Sequence, residues 1–134
     1  ETNISTALEH MQKVLKWKSI IFSMSDFWDN SYQQAMRLIN KKHDLINIQI
    51  LDKAESFIPN IGLMKLHDVE NKQSLWIDTD KNQIRSIISK SISEKKKILS
   101  SFCSKNKIDI ISINTSKEYV YPLEQFFNSR IKRH

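Results

Sequence analysis

Apolar residues recur at three- and four-residue spacing through Ile4, Ala7, Leu8, Met11, Val14 and Leu15, a period that predicts an amphipathic helix from about Asn3 to Lys16. Ser19 to Ser25, reading Ser-Ile-Ile-Phe-Ser-Met-Ser, is short and β-branched and predicts a buried strand. Asn30 and Ser31 then offer N-caps, Gln34 completes an S-x-x-Q capping box, and Tyr32, Ala35, Met36 and Ile39 form the next helical face. Leu45 to Leu51 alternates through Ile46, Ile48 and Ile50 and predicts a second strand. The polar stretch 52–61, with Asp52, Glu55 and Pro59, has loop composition. Leu63 to Val69 and Ser74 to Asp78 are short runs separated by Glu70-Asn71-Lys72-Gln73, a spacing of hairpin length. A long helix follows, with Ile84, Ile87, Ile88, Ile92, Leu99, Phe102 and Cys103 on one side and Lys95 interrupting that stripe. Ile108 to Ile113 predicts a third strand, and Val120, Leu123, Phe126, Phe127 and Ile131 one face of a last helix.

Helix, strand, helix, strand, hairpin, helix, strand, helix is the order expected of βαβ crossovers around a parallel sheet, an α/β domain with an inserted β-hairpin. A chain of 134 residues fits one domain, and 40% hydrophobic residues suffice for its core. Three parallel strands make a small sheet for this class, so further strands are expected upstream of residue 1. Cys103, the single cysteine, reads as a small core residue and permits no internal disulfide. With Gly62 the lone glycine, no Gly-rich phosphate loop exists. No apolar run approaches the roughly 20 residues of a membrane span, and Glu1 to Leu8 is unlike a signal peptide, so a cytoplasmic location without membrane contact is expected.

Charge sharpens the picture. The net +6 lies wholly in residues 80–107, which hold eight Lys or Arg against two acids. Such a run is ordinarily a solvated helix face. Lys95 should lay its stem along the apolar stripe while its ammonium reaches water, and Lys96 and Lys97 should point to solvent. Phe102 is the only aromatic interleaved among these lysines, so a base-stacking platform is missing and no specific nucleic-acid binding is expected.

In an open α/β sheet, ligands bind beyond the carboxyl ends of the strands. The residues there are Ser25, Asp26 and Asp29, then Asp52 and Glu55, then Asn114 and Thr115. Carboxylates at converging loop tips suit Mg2+ or Mn2+, with Asp26 best placed, although the same residues also serve as caps and turns. His10, His43, His67 and His134 have no zinc spacing, and no G-x-S-x-G elbow exists. Trp17, Trp28 and Trp76 read as packing residues, except that an exposed Trp28 would mark a contact surface. A phosphoryl-transfer or hydrolytic enzyme using Asp26, with Asn114-Thr115-Ser116-Lys117 positioning phosphate, is the alternative.

The run Ser25-Asp26-Phe27-Trp28-Asp29, the segment His43 to Ile50 with Asp52 and Glu55, then Ile58-Pro59, Gly62, Asp68-Val69-Glu70 and Ile77-Asp78-Thr79, closely resembles the C-terminal half of the bacterial family called domain of unknown function 58. The resemblance continues through Tyr119-Val120, Leu123, Phe127 and Arg130. That family is similar to von Willebrand factor A domains, which implies a Rossmann-like fold and a metal-ion-dependent adhesion site. Asp26 matches the third element of such a site and Thr2 the second. The first, Asp-x-Ser-x-Ser, does not occur in residues 1–134, and Glu1 stands where Gly often precedes the Thr. The resemblance therefore implies a partial von Willebrand A-like domain, a non-enzymatic interaction module whose Mg2+ or Mn2+ site is incomplete here. It further implies a partner among AAA+ ATPases of MoxR type, in protein assembly or metal-centre maturation.

Overall fold

A computed structural model describes residues 3–28, 31–52, 58–67 and 73–132. Helix α1 (Ile4–Val14) opens the chain, Asn3 capping it by accepting the Thr6 amide at 3.1 Å. Strand β1 (Ile20–Ser25), helix α2 (Tyr32–Lys42) and strand β2 (Asp44–Leu51) follow. Next come β3 (Leu63–His67) and β4 (Ser74–Asp78), then α3 (Asn82–Lys105), β5 (Asp109–Asn114) and α4 (Val120–Ile131).

β1, β2 and β5 form a parallel sheet in that spatial order, with β2 central. Parallel neighbours need crossovers, which α2 supplies between β1 and β2, and the hairpin with α3 between β2 and β5. The pleat sends Ile21, Leu45 and Ile110 to one face, where Leu8 of α1, Met36 and Ile39 of α2, and Leu99, Phe102 and Cys103 of α3 close the core. The opposite face carries Ile20, Phe22, Met24, Ile46, Ile48 and Ile111, and α4 lies against it through an edge-to-face contact of Phe127 with Phe22. Arg130 of α4 forks between Asp44 and Asp109 at the amino ends of β2 and β5. α4 buries none of its residues, and Ile20, Phe22 and Met24 stay exposed.

The element order matches the periodicity, with two local differences. Ser31 takes a helical backbone and makes no side-chain cap bond to α2; its hydroxyl meets that of Ser5 at 3.0 Å, tying α2 to α1 instead of closing a capping box with Gln34. The first helix ends at Val14 because Leu15 turns to extended backbone and packs against the core. The inserted hairpin stands as its own antiparallel pair. Its base is pinned by buried Thr79, whose hydroxyl donates to the Gly62 carbonyl at 2.7 Å and accepts the Ile61 amide at 3.0 Å. Gly62 sits there at φ 81°, where a side chain would be strained. Val69 and the 70–73 loop of the expected hairpin fall largely outside the described residues. Among the described residues, no helix is long and apolar enough to cross a membrane.

Candidate functional site

β1 ends in a tight corner. Phe27 adopts φ 57°, a left-handed backbone that costs a non-glycine residue energy, and its ring is held in the core against Tyr32 at 5.8 Å. Burying Phe27 turns its neighbours outward. Asp26 is exposed, and its Oδ1 accepts both the Trp28 amide at 3.2 Å and the Ser25 hydroxyl at 3.3 Å, while that hydroxyl accepts the Phe27 amide at 3.2 Å. These bonds form an Asx turn that fixes the carboxylate. Trp28 is 37% exposed, and the Lys95 ammonium lies over its ring at 4.4 Å.

Asp26, Phe27, Trp28, Gln49, Leu51, Ile92, Lys95 and Lys96 line a cleft of about 20 Å³. That is room for about one water, far below the roughly 300 Å³ at which small-molecule pockets begin. Lys96 is half-buried in this lining and does not point freely to solvent as the helical arc implied. Lys95 lays its ammonium on an indole face instead of reaching into water.

Among the described residues, none of the other predicted strand-end residues lines the cleft with Asp26. Thr2, Asp29 and Glu55 lie outside the described residues. Asp52 is exposed at the end of β2. Asn114 closes its own turn, Oδ1 accepting the Ser116 amide at 2.9 Å and its hydroxyl at 2.7 Å. The amides of Thr115 and Lys117 donate to the carbonyls of Leu51 and Asn114, so three successive N–H groups already have internal acceptors and form no phosphate cradle. Among the described residues, no three His, Cys, Asp or Glu side chains group as a metal would need.

Sequence reasoning missed Gln49 and the neighbouring Asn47. Both are buried on the core side of the central strand, whose residues after Asp44 are otherwise apolar, and polar side chains at core positions were the available signal. Gln49 Oε1 accepts the Ser112 hydroxyl at 3.0 Å. Asn47 Nδ2 donates to the sulfurs of Met36 and Cys103, both at 3.5 Å. Cys103 is a buried core thiol as expected; desolvation pushes its pKa above the ordinary thiol range, partly offset by the Asn47 hydrogen bond.

A model of the family described as Protein of unknown function DUF58 matches residues 1–98. The matched span holds β1, the Asp26 corner, the hairpin and most of α3, and stops short of the Tyr119 to Arg130 residues that entered the resemblance. No curated protein and no solved structure matches the chain.

Proposed function

The chain belongs to the DUF58 family, and from that premise we propose that it is a non-enzymatic protein-interaction module of von Willebrand A type. The carrying observation is the β1 corner: a strained, core-anchored Phe27 holds Asp26 and a half-exposed Trp28 outward in fixed orientation, with Lys95 stacked on the indole. Tryptophan on a preorganised loop is the residue type that most often dominates binding energy at protein interfaces. The adjoining cleft is too small for a substrate, which favours a surface that meets a partner over one that encloses a reactant.

A divalent cation does not fit the residues described at this corner. Asp26 Oδ1 already accepts two hydrogen bonds, two lysines line the same cleft, and among the described residues no second carboxylate, His or Cys completes a set. Recognition at this corner is therefore read as aromatic and electrostatic, with Asp26 as acceptor. A Mg2+ or Mn2+ site, like the further sheet strands and the MoxR-type AAA+ ATPase partner, belongs to the intact von Willebrand A reading.

Trp28→Ala should abolish association with a MoxR-type AAA+ ATPase in sedimentation experiments while leaving the circular dichroism spectrum unchanged. Calorimetric titration of Mg2+ or Mn2+ into the chain should show weak or no binding. Tight metal binding would overturn the account of the site. Turnover of a generic phosphatase substrate, lost in Asp26→Asn, would overturn the non-enzymatic reading.

A further inference from the structure

The strands' other end carries a feature that no single stretch of sequence contains. Lys18 ahead of β1, Lys41 and Lys42 in the last turn of α2, Lys107 after α3 and Arg130 of α4 line one groove of about 740 Å³, with Asp44 and Asp109 among them. We propose that this groove docks an acidic protein segment, one bearing Asp or Glu side chains at intervals. It lies away from the Asp26 corner and does not depend on the function assigned there.

Five cations meet two carboxylates, and the two carboxylates are both taken by Arg130. Lys42 donates to the Leu15 carbonyl at 3.2 Å. Lys18, Lys41 and Lys107 join no ion pair among the described residues. The carboxyl ends of α2 and α3 account for part of this charge, but each helix end contributes only about half an elementary negative charge. Two ends thus offset about one lysine of four, and because one guanidinium balances only one of its two carboxylates the second offsets about one more. The remainder is an uncompensated positive field in a concave surface, the condition for steering and holding an anionic partner.

Lys107 adds an independent mark. Its φ of 53° is the left-handed region that favours Gly or Asn after a helix, yet a long cation occupies it. The backbone there is held by the Lys107 amide donating to the Ser104 carbonyl at 3.2 Å and by Asn40 Nδ2 donating to the Asn106 carbonyl at 3.1 Å. A long cation thus stands on a strained backbone position at the rim of the groove's charge, and that backbone holds it in place.

The groove's chemistry selects among anions. Its lining holds no Phe, Tyr or Trp, and its one imidazole, His43, is buried, so nucleobases have no exposed ring to stack on. Its one guanidinium fork is occupied, leaving point-charge ammoniums that do not grip phosphate bidentately. Asp44 and Asp109 are each about a third exposed in its floor and repel a dense phosphate backbone, whereas spaced carboxylates on a flexible peptide can reach the lysines and avoid them.

The test is fluorescence anisotropy with a short labelled peptide of alternating Glu and Ser, its Gln counterpart, a thymidine oligonucleotide and polyphosphate, each at low and high salt. The Glu peptide should bind saturably and the Gln peptide should not. Combining Lys18→Ala, Lys41→Ala and Lys107→Ala removes three surface pairs of ordinary strength and should weaken the Glu peptide about tenfold. Removing three exposed lysines elsewhere, by Lys90→Ala, Lys97→Ala and Lys117→Ala, should change it less than about twofold. Lys107→Gly should keep or raise the melting temperature while lowering affinity, which separates binding from folding. Equal losses in the two triple variants, no binding, tighter binding of oligonucleotide or polyphosphate, or unchanged affinity in Lys107→Gly would each overturn the proposal.

Discussion

Arg130 is the most informative residue to remove, because α4 has no buried residue and is held to the sheet by little else. The Arg130 side chain is 13% exposed, and its two partners, Asp44 and Asp109, are 33% and 28% exposed. An exposed pair contributes at most about 1 kcal/mol, while breaking a fully buried one costs about 3–5 kcal/mol. This pair of pairs lies between, since water screens the carboxylates but reaches little of the guanidinium. Arg130→Ala should therefore cost about 2–3 kcal/mol, which includes two carboxylates left facing each other and the loss of the guanidinium over Phe126 at 5.8 Å. Arg130→Lys should recover about half of that loss, because one ammonium cannot serve two carboxylates as a fork does. The assay is urea unfolding followed by circular dichroism, with the midpoint shifted and the slope unchanged. Adding Asp44→Asn and Asp109→Asn to Arg130→Ala should restore part of the stability, since no charge is then left unpaired. A loss in Arg130→Ala below about 0.5 kcal/mol would refute the reasoning and show the fork to be ordinary surface electrostatics.

The remaining predictions concern the polar atoms in the core. Asn47 Oδ1 is buried and accepts no hydrogen bond among the described residues, so Asn47→Leu should be neutral or stabilising by up to about 2 kcal/mol in urea unfolding; a loss of that size would show the amide to be structurally required. Cys103 should resist thiol reagents in native buffer and label only across the unfolding transition; rapid stoichiometric labelling would contradict its burial. Because its folded pKa is raised, the folded state keeps its proton longer than the unfolded chain. Its stabilising contribution is full below the unfolded thiol pKa of about 8.5 and declines as pH rises from there through the folded value. A Cys103→Ala variant should lose that alkaline decline, and an identical decline in both proteins would assign it to other groups.

The elements of the fold were readable because each has one dominant apolar period, from Ile4 and Leu8 in α1 to Ile48 and Ile50 in β2. What resisted reading were features assembled across the chain. Ser31 has a capping sequence, but the approach of Ser5 from α1 redirects its hydroxyl, and no local pattern encodes that meeting. Lys96 looked solvent-facing because helical periodicity locates a side chain relative to its own helix only, not to the Trp28 loop beside it. The charged run lies in α3, whereas the basic groove collects Lys18, Lys41 with Lys42, Lys107 and Arg130 from four separate stretches. Asp26 stood at the expected strand end, yet the turn that orients it depends on Phe27 taking a backbone that its residue type disfavours. The DUF58 resemblance was borne out over residues 1–98, the part that contains this corner.

β1 pairs with β2 alone among the described strands, so its other edge presents a row of peptide N–H and C=O groups flanked by exposed Ile20, Phe22 and Met24. Such an edge is a template on which another strand can build, and no proline or inward charge interrupts it. Long-range repulsion from the net charge of +6 opposes such pairing between two copies. That repulsion reaches about 30 Å in 0.01 M salt but only about 8 Å at physiological strength. Raising the ionic strength should therefore favour edge-to-edge association of the isolated chain, a dependence that light scattering in dilute and in concentrated salt would read.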